Sequence, residues 1–487
     1  MKRFLLVLLV ALCAGGAFGQ ELTADEVRSV AQHAASSVGS QGMAIAVTNR
    51  QGDILALFRT PGAPDTAIGN FSASVDTNEL AVALARTASF FSNNQAPLSS
   101  RTVRFISGVH FPPGISFTPN AALYGIENTN RGCGFNTTFV MGKEVPPARS
   151  IDGTQPGLGI QTGKADLTDS KPDVVNPGGV PLFRNGVVVG GVGVAGASPL
   201  LSEFAAFSGA IGAGFVPTPA APGVIFIDGI ALPFVNQTTA PDGVAAGNAQ
   251  GDFLIGPLDS PGPAPDGDLV APLAGSALSA SDVRQILDRA ITTANQTRAM
   301  IRLPIGSRTR MVIAVTDVDG TVLGLYRMPD ATFFSIDVAV AKARNMVYFN
   351  GPGGSVDLPG IPAGTAVTNR TIGFGAQPFF PPGIDGSGHG PFFDLYVQDT
   401  NNPCTQGSQP ANPNQNGIVF FPGALPLYRN GVLVGGLGVS GDGVEQDDYV
   451  TSGAAVGFEA PANSRADRVF IDGVRMPYLK FPRNPTK

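Results

Sequence analysis

Few residue patterns in this chain could do chemistry, and two glycine runs are the first to consider. Gly191-Val192-Gly193-Val194-Ala195-Gly196 and Gly436-Leu437-Gly438-Val439-Ser440-Gly441 both spell G-x-G-x-x-G, the pattern that cradles a dinucleotide pyrophosphate. That chemistry needs the run on the first strand-to-helix turn, with an acidic residue about twenty positions later. Here each run follows a tight hairpin, and Asp228 and Asp472 come more than thirty residues later. The runs read better as strands with one bare face, Gly191 and Gly193 on one side and Val192 and Val194 on the other. Something must approach that face closely, an alanine-rich helix by expectation, with a flat ligand as the alternative. No G-x-S-x-G, no H-E-x-x-H and no cysteine with a nearby base occurs. Beyond Cys13 the cysteines are Cys133 and Cys404, which follow Leu123-Tyr124 and Leu395-Tyr396 at equivalent places. In an oxidising compartment they could bridge two halves, or they could stand as separate thiols, and spacing alone does not decide.

The elements that must position these residues occur twice in the same order. Ala46-Val47-Thr48 returns as Ala314-Val315-Thr316, Phe111-Pro112-Pro113-Gly114-Ile115 as Phe380-Pro381-Pro382-Gly383-Ile384, and Arg184-Asn185-Gly186 as Arg429-Asn430-Gly431. Each copy opens with a capping box, Thr23/Glu26 or Ser279/Asp282, before a helix. A hairpin follows, then an alanine-rich helix over Glu79 to Phe91 or Asp337 to Phe349. A long irregular insertion comes next (Asn120 to Val180; Asp385 to Phe421), then a hairpin turned by Asn-Gly, and a final strand at Ile225 to Asp228 or Val469 to Asp472. Hairpins with helices predict an α+β fold, two tandem copies of an antiparallel sheet packed with helices and carrying long insertions. The expected units are 20–239, a Gly/Pro-rich linker at 240–276, and 277–487. Two copies are too few for a solenoid, so each must close its own core or share one with its twin.

Lys2-Arg3, the apolar stretch from Phe4 to Leu12 and Ala17-Phe18-Gly19 read as a cleaved signal peptide spanning residues 1–19, and predict a secreted or periplasmic protein. No later segment is apolar enough to span a bilayer. Loss of Lys2 and Arg3 takes the net charge from −6 to −8, which argues against nucleic acid as a partner. With 63 Gly and 41 Pro, much of the chain must be turns and loops.

The capped helix, the A-V-T-x-x-x-G hairpin, the alanine-rich helix ending in A-R and the R-N-G-V-x-V-G-G-x-G-V run together resemble the GlcG/HbpS (DUF336) family of small heme-binding proteins. The likeness covers roughly 22–91 and 181–235, and again 278–349 and 426–479. Copy two adds Val444-Glu445-Gln446-Asp447-Asp448, similar to an E-Q-D segment of that family, and keeps its lysine at Lys342; copy one has Leu200-Leu201-Ser202-Glu203 and Leu84 instead. The resemblance implies an α+β fold, oligomeric assembly and, in some members, heme binding with slow heme breakdown.

Heme needs an apolar slot, a cation for its propionates and an axial ligand. His33, His110 and His389 are unrepeated, so a duplicated histidine-ligated site is excluded, and His110 in its aromatic, proline-rich loop is a better ligand candidate than His33 on the first helix. Tyr124 and Tyr396 are repeated and could ligate iron, or serve as core. The repeated pairs Arg59/Arg327 and Arg101/Arg370 could meet propionates or close ion pairs. The expected function is binding of heme or a related tetrapyrrole by an internal pseudo-dimer, for sequestration or sensing. The alternative is a non-catalytic scaffold whose long loops meet a partner protein. An enzyme acting on a small oxidised acid comes third, supported by none of these residues.

Overall fold

The computed structural model describes residues 21–137, 150–154, 156–162, 176–217, 225–227 and 229–487. The signal-like start and Asp228 lie outside these residues. The first copy contains α1 (Ala24–Ser37), β1 (Ala44–Asn49), β2 (Ile54–Arg59), α2 (Thr77–Phe91), α3 (Ser100–Phe105), β3 (Gly179–Arg184), β4 (Val187–Ala195) and α4 (Pro199–Gly212). Between the copies run β5 (Asp252–Ile255) and β6 (Gly267–Val270). The second copy contains α5 (Ala280–Gln296), β7 (Val312–Thr316), β8 (Val322–Arg327), α6 (Phe334–Phe349), α7 (Asn369–Gly375), α8 (Phe393–Asn401), β9 (Ala424–Arg429), β10 (Val432–Ser440) and α9 (Val444–Ala454).

Local chemistry sets these elements where the sequence places them. Thr23 and Ser279 each receive the backbone N–H three residues on, while Glu26 and Asp282 accept from the cap residue in return, so both opening helices start on closed capping boxes. Asn185 and Asn430 have φ of 51° and 52°, and Gly186 and Gly431 both 79°, the paired positive values of a type I′ hairpin.

The two sheets have the same antiparallel order, β3-β4-β1-β2-β5 and β9-β10-β7-β8-β6. Their outer strands correct one expectation. The Gly/Pro-rich stretch at 240–276 connects the copies and also donates β5 to one sheet and β6 to the other. The final strands expected near the end of each copy do form, at Phe226–Ile227 and Phe470–Ile471, in small ribbons separate from the main sheets. The insertion of copy two also holds a helix, α8, which the irregular composition hid.

Each sheet is sandwiched. One face, with Ile45, Val47, Val192 and Val194, packs on α1 and α4. The other carries Ala46 opposite Gly193 and Thr48 opposite Gly191, and α2 lies on it. The bare face is filled by a helix, as expected. A Cβ at Gly193 would sit 2.0 Å from the Ala81 carbonyl oxygen, and one at Gly191 2.2 Å from that of Ala85. Copy two repeats this: Gly438 meets the Ala339 carbonyl at 2.1 Å and Gly436 that of Ala343 at 2.0 Å. Main chain of the helix therefore rests on main chain of the sheet.

The end of α2 meets the start of α6, and the rest of α6 is buried under segments of both insertions. Phe91 stacks on Phe334 with ring centroids 4.1 Å apart, and Phe90 sits 6.0 Å from Phe333. The insertions cross between copies. Tyr124 stacks on Tyr396 at 4.8 Å, and Asn130 donates its backbone N–H to Asp337 at 2.6 Å. Arg344 donates to the Phe135 carbonyl at 2.6 Å, and a Cys133–Cys404 disulfide links the halves with Cα atoms 5.4 Å apart. The copies share a seam that joins Phe90, Phe91, Tyr124 and Phe135 to the core of copy two, while the sheet of copy one keeps apolar clusters of its own on both faces.

Gly438→Ala forces a methyl against the α6 main chain and should destabilise the protein by about 1–3 kcal/mol. Val432→Ala on the same strand, at a site 65% exposed, should shift stability by less than about 0.5 kcal/mol. Denaturant titration of the two variants checks this, and equal effects would contradict the close packing.

Candidate functional site

The residues singled out in the sequence fall in four places. His33 is exposed on α1, with Nδ1 2.8 Å from the Ser29 carbonyl. His110 is buried with both ring nitrogens engaged, Nδ1 3.2 Å from the Thr118 carbonyl and Nε2 3.0 Å from Asp385 of the other copy. Tyr124 and Tyr396 are fully buried between the copies, and burial first, then the Glu127 carboxylate, raise the Tyr396 hydroxyl well above its ordinary range. They are core residues of the pseudo-dimer. Arg59 pairs with exposed Asp65 at 2.7 Å, whereas its counterpart Arg327 is buried, lies over the Phe333 ring and donates to the Ala331 and Pro265 carbonyls.

The repeated Arg101 and Arg370 do form equivalent structures. Arg101 makes a two-pronged ion pair with buried Glu203 at 2.7 and 2.9 Å, and Arg370 reaches Asp448 at 2.5 Å. Each ties the start of a short helix ahead of the insertion, α3 or α7, to the first turns of α4 or α9. Beside this shared pair the copies diverge. In copy two Lys342 on α6 donates to Asp447 at 2.9 Å and to the Val439 carbonyl at 2.8 Å, with its ammonium wholly buried. In copy one Leu84 and Ser202 occupy the corresponding positions. Burial lowers the Lys342 ammonium. It pushes Asp447 up to about 7, against the pull of Lys342.

This divergence sits at an end of the molecule where both copies line a cleft. Its outer part, about 530 Å³, is walled by Phe111 and Ile227 of copy one and by Phe374, Phe420 and Phe421 of copy two, with Arg370 and Lys480 as its cations. Lys480 pairs with Glu445. Ile106, Ala122, Ile227, Val444 and Glu445 line both this part and a deeper recess of about 80 Å³. Phe91, Leu98, Met300 and Phe334 wall the recess, and the start of α9 with Gln446 and Asp447 closes it. Among the described residues no His, Tyr or Cys lines either part, so Met300 supplies the one thioether. The family-like Glu445, Gln446 and Asp447 all line the recess. Met300 was missed because a lone methionine after a helix carries no pattern. Phe420-Phe421-Pro422 could have been flagged as an apolar cluster inside an otherwise polar insertion.

Residues 278–455 match the family model described as haem degrading protein HbpS-like. A stretch of 171 residues, 35% of this chain, is 29% identical to the corrinoid adenosyltransferase PduO of Salmonella typhimurium and covers 36% of it. The chain thus spans about a third of the length of the curated relatives it matches. Among solved structures, that of a PduOC:heme complex is 26% identical, covering 37% of this chain and 94% of that one with a TM-score of 0.25. A double mutant of Streptomyces reticuli HbpS is 18% identical, covering 40% and 96%, with a TM-score of 0.23.

Two tests follow from the buried pair. Lys342→Met leaves Asp447 without its partner and should cost about 3–5 kcal/mol, whereas the double replacement Lys342→Leu/Asp447→Ser, which copies the first half, should recover most of that loss. Denaturant titration of both variants decides it. Burial raises Asp337 to about 6 and Asp447 to about 7, both from 3.8, so the native state holds these protons more tightly than the unfolded chain. Their contribution to stability is therefore present at low pH and lost as pH rises through the folded values. Between about pH 4 and 7 it should decline, less steeply in the double variant, as thermal unfolding across that range would show.

Proposed function

We propose that this chain binds heme or a closely related tetrapyrrole in the cleft between its copies, a reading supported by the match of residues 278–455 to the HbpS-like family model. The cleft is the observation that carries this reading. It supplies an apolar slot walled by phenylalanines and cations at Arg370 and Lys480, two of the three things heme requires. Met300 in the recess wall offers a thioether for the third. An outer volume of about 530 Å³ lies within the usual range of small-molecule sites. Bound heme would bring its own iron chemistry; the chain's part is to exclude water with the phenylalanine walls and to hold the propionates near Lys480.

The ligand candidates from the sequence take other roles in this reading. His110 holds the two insertions together, His33 faces solvent, and the tyrosines fill the shared seam. Of the first insertion, the stretch from Tyr124 to Phe135 lies against the second copy and that around Ile151 to Thr162 against its own, which leaves less of it for a partner protein and weighs against the scaffold reading. We place the function outside the cytoplasm, in sequestration or sensing. The signal-like start supports that location, and so does the Cys133–Cys404 bridge, since such bonds persist in oxidising compartments.

A hemin titration of the protein lacking residues 1–19 tests the reading. A saturable, sharpened Soret band at one equivalent per chain is expected. Lys480→Glu, at a site largely exposed, should weaken binding by about 5-fold without altering thermal stability. Hemin absorbing as it does on an unrelated carrier protein would overturn the proposal.

A further inference from the structure

The recess beneath the cleft is built for something other than hydrocarbon. Gln446 is 0% exposed, and neither its Nε2 nor its Oε1 has a hydrogen-bond partner. The Oδ1 of Asp447, beside it in the recess wall, also lacks one. Buried amides are almost always satisfied, so an amide left wholly unpaired against a cavity marks a place where another molecule completes the bonds. The recess also meets the start of α9, an eleven-residue helix with no side-chain cap. Its first N–H groups have no partner within the helix.

Charge selects the kind of group that completes them. Each acid at this end already holds a cation: Asp447 has Lys342, Asp442 has Arg302 and Glu445 has Lys480. An anionic head would meet these carboxylates with no uncommitted cation among the recess-lining residues. A primary carboxamide is neutral, accepts from Gln446 Nε2 and donates to Gln446 Oε1 and Asp447 Oδ1. The remaining walls, Phe91, Leu98, Ile301 and Phe334, suit an apolar body joined to that head.

We propose that this recess is a binding site for a neutral primary carboxamide carried on an apolar body, read by Gln446 and Asp447. It exists once per chain, because Leu201 stands in copy one where Gln446 stands in copy two. The proposal does not rest on heme binding, which fills the outer cleft and draws on the recess at Met300 alone.

The test follows benzamide, benzoate and toluene by ligand-observed NMR on the full protein lacking residues 1–19. Benzamide should saturate at one site and bind at least about 10-fold more tightly than benzoate or toluene, the factor expected when a polar site loses its matching group. Gln446→Leu, the copy-one residue, should remove that preference, leave toluene binding intact and keep or raise thermal stability. The proposal is overturned if benzoate or toluene binds as tightly as benzamide. Retained benzamide preference in Gln446→Leu, or no saturable binding by any probe to the folded protein, would also overturn it. Hemin titration of Gln446→Leu keeps the two readings apart, since outer-cleft binding should persist.

Discussion

Everything in this molecule follows from a helix backbone resting directly on a sheet backbone. At Gly191, Gly193, Gly436 and Gly438 a single methyl would strike a helix carbonyl, so α2 and α6 lie closer to their sheets than any side chain would permit. The approach needs glycine on the strand and alanine on the helix, and it leaves the far side of each helix to be covered by something else. α2 is met by its own insertion at Glu79 and Thr87, whereas α6 is covered by segments of both copies. The second half therefore relies on the first for part of the cover over α6, through Asn130 and Phe135.

The same geometry explains why the site is one-sided. Both copies keep the arginine pair that locks a short helix ahead of the insertion onto α4 or α9, Arg101 with Glu203 and Arg370 with Asp448. Copy two adds a second buried pair, Lys342 with Asp447, and an unpaired glutamine next to it. Copy one fills those positions with leucine and serine. A buried ion pair adds little net stability over apolar residues of similar size. Its retention beside a cleft, and its loss where Leu84 and Ser202 stand, fit a role at the cleft better than a role in folding.

Much of the architecture was legible in the chain because local rules wrote it. The capping boxes, the Asn-Gly turns and the alternating Gly/Val strands each depend on neighbours within a few residues, and each formed where expected. The outer strands were hidden for the opposite reason. β5 and β6 are four residues each, set among Gly and Pro, and only pairing with a distant strand makes them strands. The site was hidden likewise. Histidine and tyrosine drew attention by type, but His110 and the tyrosines serve the seam between copies. The cleft is assembled from Phe111, Met300, Phe420 and α9, segments that sequence order keeps far apart. Two parts were marked in advance, the Glu445-Gln446-Asp447 segment by resemblance and Arg370 as a repeated arginine that could meet propionates.

Joining the two halves in one chain changes what substitutions can do. In a symmetric dimer any change appears in both subunits, so a residue that improves a pocket on one side is imposed on its mirror image, whatever the packing there. Here Lys342 and Leu84 answer to different neighbours although they hold the same place in the fold. The Cys133–Cys404 bond fixes the halves to each other without tying their sequences together. One half is then free to specialise in holding the shape while the other keeps the polar groups that a ligand would meet.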